Sequence, residues 1–104
     1  MKFLVIGSMP VEAGNQLAKQ GKLASVIQSV LDSIKPEAVY FIAKDGKRTM
    51  LMIVEMQDAS QLPAIAEPLF LAFNGSVECY PVMLPQDLMK AGPAIEAAAK
   101  KFGS

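Results

Sequence analysis

The chain has 104 residues, with ten Lys and Arg against ten Asp and Glu, so its formal charge is zero. A neutral chain has no long-range field to draw nucleic acid towards it, and no nucleic-acid partner is expected. Hydrophobic residues make up 52% and charged residues 19%, against the usual about 45–50% and about 25%, which excludes disorder and leaves an apolar surplus for an oligomer to bury.

The length fits one domain spanning residues 1–104, since domains commonly hold about 100–150 residues. The opening apolar run ends at Gly7, too early for a secretory core, and no uncharged stretch approaches the roughly 18 residues of a membrane span. Cys79 is the single cysteine and has no internal disulfide partner. These features predict a cytoplasmic protein with no membrane partner.

Lys2 to Ile6 reads as a strand closed by Gly7, Ser8 and Pro10. Leu17, Ala24, Ile27, Leu31 and Ile34 then recur at helical spacing. They predict one amphipathic helix from about Asn15, as N-cap, to Lys35, stopped by Pro36. Gly21 inside it marks a close contact or a bend. Ala38 to Lys44 and Lys47 to Met56 flank Asp45-Gly46, the dipeptide of a type I′ turn, and predict an antiparallel hairpin. A second helix opens at Asp58 or Ser60 and is expected to end or kink at Pro68, which lacks an amide proton. Asn74-Gly75 turns the chain into a fourth strand, Ser76 to Leu84, where Pro81 needs an edge or a bulge. The tail from Gln86 to Phe102 reads as two helical pieces interrupted at Gly92-Pro93.

This order predicts an α+β fold, the ferredoxin-like βαββαβ arrangement with an extra C-terminal helix and a four-stranded antiparallel sheet. The strands are apolar on both faces. Met50, Met52, Val54 and Met56 share one face of the third strand while Leu51 and Ile53 share the other. Val39 and Phe41 oppose Tyr40 and Ile42, and Phe3 and Val5 oppose Leu4 and Ile6. Helices cover one face, and the sheet of a second copy is the expected cover for the other, in a homodimer or higher homo-oligomer.

A hydrophobic third strand, an acidic turn, a short helix, the Pro68-Leu69-Phe70 step and a strand carrying Val77 and Pro81 follow one another, after an opening Lys2-Phe3-Leu4-Val5-Ile6 strand. In these features the chain resembles the dimeric α+β barrel superfamily, and within it the muconolactone isomerase-like proteins. The resemblance implies a ferredoxin-like protomer that pairs sheet to sheet, with a pocket between each sheet and its helices. It implies isomerase or lyase chemistry on a small lactone or keto acid. The first helix differs from the charged helix of those isomerases in carrying only Lys19, Lys22 and Asp32, and the chain has no histidine.

With one cysteine and no histidine the sequence offers no zinc or copper ligand cluster and no Ser-His-Asp or Cys-His device. No Gly-rich phosphate loop precedes a helix, and no cofactor is expected. Carboxylate and phenol chemistry remain. Glu55 sits in the apolar run Leu51 to Met56, where partial burial would raise its pKa and make it a proton shuttle. The plainer alternative is a solvated strand-end carboxylate paired with Lys. Tyr40 and Tyr80 are candidate hydrogen-bond donors to a carbonyl, or strand rings that simply pack. Glu78 shares face parity with Tyr80. Cys79 reads as a buried structural thiol, and the Met50, Met52, Met56 stripe as interface filling or the lining of an adaptable pocket. Lys44, Asp45, Lys47 and Arg48 read as a solvated turn, with the gripping of an anionic ligand as the lesser alternative.

Two functions follow. One is a cofactor-independent isomerase or lyase with Glu55 as base and Tyr40 or Tyr80 as donor. The other is a non-catalytic dimeric module that binds a small apolar or carboxylate ligand, or serves assembly.

Overall fold

The structure is a computed structural model that describes all residues, Met1–Ser104. The elements in chain order are β1 (Lys2–Ser8), α1 (Val11–Lys19), α2 (Leu23–Ile34), β2 (Ala38–Lys44), β3 (Lys47–Glu55), α3 (Leu62–Phe73), β4 (Ser76–Pro81) and α4 (Pro85–Phe102). A short 3-10 turn, Ala59–Gln61, leads into α3. The four strands form one antiparallel sheet in the order β2-β3-β1-β4. This is the expected α+β, ferredoxin-like arrangement with an added C-terminal helix.

Local chemistry sets the boundaries. Asp45 (φ 53°) and Gly46 (φ 74°) both take positive φ, as a type I′ turn requires, and Lys44 pairs with Lys47 across it. Asp58 accepts from the Ser60 amide at 2.9 Å. Gln61 Oε1 accepts from the Gln57 amide at 2.6 Å, so the start of α3 is capped from both sides.

Expected helix boundaries are corrected at four places. Asn15 lies inside α1 and caps nothing, because the helix starts at Val11 after Pro10. The single helix expected up to Lys35 is two. Gly21, at φ 70°, ends α1 in a left-handed turn, and the Gly21 and Lys22 amides close back on the Ala18 and Leu17 carbonyls at 3.0 and 2.9 Å. Neither Pro68 nor Pro93 ends a helix. Each stands inside a continuous one, α3 and α4.

One face of the sheet packs against α1, α2 and α3. Val5, Met52, Val54 and Leu69 are its most deeply buried members, joined by Met50, Met56, Val30, Ile34, Ile65 and Phe73. The methionine stripe is therefore core beneath the helices. Its assignment to an interface is corrected, because the even-numbered residues of β3 point to the helical side.

The other face is open. Register aligns Tyr80, Leu4, Ile53 and Ala38 in one row, and Glu78, Ile6, Leu51 and Tyr40 in the next. Lys44 lies four residues beyond Tyr40 on one edge strand, yet its Nζ comes within 3.9 Å of Glu78 on the other. In a flat sheet those edges stand about 14 Å apart, with about 13 Å of offset along the strands, farther than the two side chains span. The sheet is coiled towards its open face, with Leu4, Ile6, Leu51 and Ile53 half-buried in the hollow.

Candidate ligand cleft

The cleft that holds the best candidate site forms where the sheet outruns its helices. Val39 of β2 still packs on the core beneath the helices, but the strand from Tyr40 to Ala43 is exposed. Phe41, whose side chain shares the helical side with Met50, is therefore 57% exposed. Between this uncovered strip and α1, α2 and α3 lies a cleft of about 610 Å³ whose walls include Ile27, Phe41, Met50, Leu69 and Phe73. Such a volume is ordinary for a small-molecule site.

Two glycines shape it. A Cβ at Gly7 would stand 3.1 Å from Leu69 Cδ1, so glycine lets α3 approach the end of β1 closely. A Cβ at Gly14 would stand 2.5 Å from Arg48 Nη1 and 2.7 Å from Met9 Sδ. Gly14 thus gives Arg48 room to lie against α1 at the rim.

Arg48 is the principal polar group of the cleft. Its carbonyl accepts from the Met9 amide at 3.0 Å, which holds the start of β3 to the residues that lead into α1. Its Nη2 donates to Asn15 Oδ1 at 3.1 Å. No carboxylate lies within ion-pair distance of the guanidinium. Lys47, Asn15 and the turn at Gly46 complete the rim. An unpaired guanidinium fork above an apolar wall suits a small molecule with an apolar body and one carboxylate.

The three residues expected to carry chemistry lie elsewhere. Tyr40 and Tyr80 point to the open face from opposite edges of the sheet and are 63% and 48% exposed. The Tyr80 hydroxyl donates to Glu78 Oε2 at 2.6 Å, and that bond holds the phenol above its ordinary pKa. Glu55 closes β3 at the far end of the sheet. It forms an ion pair with the N-terminal amine and lies 3.7 Å from Lys2 Nζ. The hydrogen bond from that amine, reinforced by Lys2, holds its carboxyl below the ordinary range despite some desolvation. The structure therefore has the plainer alternative, an exposed strand-end carboxylate paired with Lys2, and the raised pKa of the proton-shuttle reading is reversed, because two cations favour its charged form.

Cys79 is half-buried on the helical face of β4, packed against the core. Burial raises its thiol pKa. It also lines a smaller apolar recess with Phe3, Met56 and Leu62. No cluster of three or more His, Cys, Asp or Glu side chains is placed to hold a metal ion.

Arg48 is legible in the sequence by its strand parity with Met50 and Met52 on β3, which places it on the helical side of the sheet. No protein-family model matches the chain, and no curated protein matches it.

Proposed function

We propose that the chain is a homodimeric module of the dimeric α+β barrel kind that binds a small apolar carboxylate in the Arg48 cleft. The observation that carries this reading is the unpaired guanidinium held by Asn15 at the rim of a cleft walled by Phe41, Met50 and Phe73. Arginine at such a rim gives two parallel charge-assisted bonds to a carboxylate, while the ring or chain of the ligand replaces water against the wall.

The dimer rests on the open face. Leu4, Ile6, Leu51 and Ile53 fill a hollow that no element of the same chain covers, framed by the exposed rings of Tyr40 and Tyr80. A second sheet packed there about a two-fold axis would bury them.

Calorimetric titration tests the ligand reading, with benzoate and hexanoate as probes and benzyl alcohol as the uncharged control. Benzoate or hexanoate is expected to bind and the alcohol not to. Arg48→Ala is expected to weaken binding about 10-fold or more, the worth of a charged hydrogen-bond pair. Equal binding by wild type and Arg48→Ala would overturn the reading.

An isomerase or lyase of a small lactone or keto acid is the second reading, supported by the cluster on the open face where Tyr80, Glu78 and Lys44 meet. There Tyr80, holding its proton, would act as donor to a carbonyl. Exchange of a keto acid's α-proton into deuterated water, lost in Tyr80→Phe, is its expected signature. No enzyme-catalysed exchange would remove it.

A further inference from the structure

The last helix does not belong to the packed body. None of the residues of α4 is buried, and it packs along no other element. The molecule reaches 59 Å in its longest direction, with a radius of gyration of 17.6 Å. A compact chain of this length would have about 13 Å. The accessible surface is 7040 Å², whereas a compact monomer of 11.1 kDa exposes about 5,700 Å².

That projecting helix is amphipathic. Leu88, Ile95 and Phe102 recur every seven residues, with Ala91 and Ala98 between them, and form one stripe along its length. Leu88 is 51%, Ile95 56% and Phe102 77% exposed. An isolated helix of this length is marginal in water, and an internal proline adds about 3 kcal/mol against it. Pro93 stands mid-helix here, so the helix needs a surface on which to fold.

We infer that α4 is an exchanged arm whose Leu88-Ile95-Phe102 stripe packs on the body of a second copy of this chain. The area suits a second copy. The excess over a compact monomer is about 1,300 Å² per chain, or about 2,600 Å² for a pair, above the about 1,600 Å² of an ordinary complex and within the range of obligate homodimers. A second copy also carries the same unmet surfaces in equal number, including Phe70 and Leu71, which are 41% and 79% exposed on the outside of α3. The chain leaves β4 at the edge of the sheet. The Val82 amide bonds the Lys2 carbonyl at 3.0 Å, and the Leu84 amide donates to Asp87 Oδ2 at 2.8 Å. The arm therefore starts from a fixed point beside the open face, where the proposed partner sheet would lie. The inference rests on the dimeric reading above and adds the arm to it.

The full chain is tested as an equal mixture of ¹³C,¹⁵N-labelled and unlabelled protein, refolded together, with its mass read by light scattering. Expected are a dimer and intermolecular nuclear Overhauser effects from the Leu88, Ile95 and Phe102 side chains. Ile95→Asp/Phe102→Asp should abolish these while leaving the amide spectrum of residues 2–81 dispersed. A dimer whose α4 shows no intermolecular effect, or only effects to its own chain, overturns the arm and leaves the sheet-to-sheet dimer standing. A monomer overturns both. A stripe whose signals broaden only when phosphatidylcholine-phosphatidylserine vesicles are added assigns α4 to a lipid surface and overturns the arm.

Discussion

Arg48 and Gly14 form a pair in which one residue is useful because the other is small. Gly14 is the position on α1 where any side chain would meet the guanidinium. Gly14→Ala should therefore move Arg48 off Asn15, since the far end of a flexible side chain yields before backbone does. Benzoate affinity should fall several-fold in calorimetry while the urea midpoint stays close to wild type. Met52 gives the opposite case. It is fully buried, and Met52→Ala should cost about 2–4 kcal/mol in urea unfolding by opening a cavity in the core. Glu55 makes a pH prediction. Its folded pKa lies below the ordinary 4.5, so the unfolded chain binds the proton more readily. The contribution of its ion pairs is complete above that value and lost as pH falls through the folded pKa. Glu55→Gln should lower the urea midpoint at pH 7, and the difference from wild type should narrow as pH falls below 4.5. Strand alternation grouped Met52 with Met50 and Met56 on one face but did not show that the helices of the same chain bury that face. At Glu55 pairing with a lysine was legible from its place at a strand end, but not the identity of its partners, because the N-terminal amine and Lys2 lie more than fifty residues away in sequence and meet it only through the register of β1 on β3.

At the level of elements, turns were read more reliably than helix ends. Asp45-Gly46 specifies its own backbone conformation, and the hairpin follows from two residues. The break at Gly21 needed a choice between a glycine tolerated inside a helix and one that ends it. The apolar spacing runs through both α1 and α2, so periodicity hid the turn that its positive φ reveals. Pro68 and Pro93 show the reverse. A missing amide proton costs one hydrogen bond but does not forbid a helix that is otherwise continuous. In α3 the core contacts of Ile65, Leu69 and Phe73 on either side hold the helix across Pro68. α4 has no such support within the chain. Pro93→Ala should slow amide exchange across residues 89–97 by at least tenfold, since removing an interior proline restores about 3 kcal/mol of helix propensity. Unchanged exchange there would contradict this reading of Pro93 as the weak point of the helix.

At the scale of the molecule, the two-sided hydrophobicity of the strands was the most informative feature of the sequence. It called for cover on both faces without saying which face the helices take; the structure puts the methionine face beneath them and leaves Leu4, Ile6, Leu51 and Ile53 on the other. The cleft was less legible. It exists because β2 extends beyond its helical cover, and sequence pattern assigns faces to strands but not helices to strands. The open face makes its own prediction: Leu51→Asp should reduce the mass seen by light scattering from two chains to one, with the helical content of circular dichroism retained. The cleft is tested most directly by titrating the ¹⁵N-labelled chain with benzoate and following its amide signals. Shifts are expected to centre on Gly7, Asn15, Ala43, Arg48 and Thr49 and to be lost in Arg48→Ala. Shifts centred instead on Leu4, Leu51 and Tyr80, or no saturable shift at all, would contradict it.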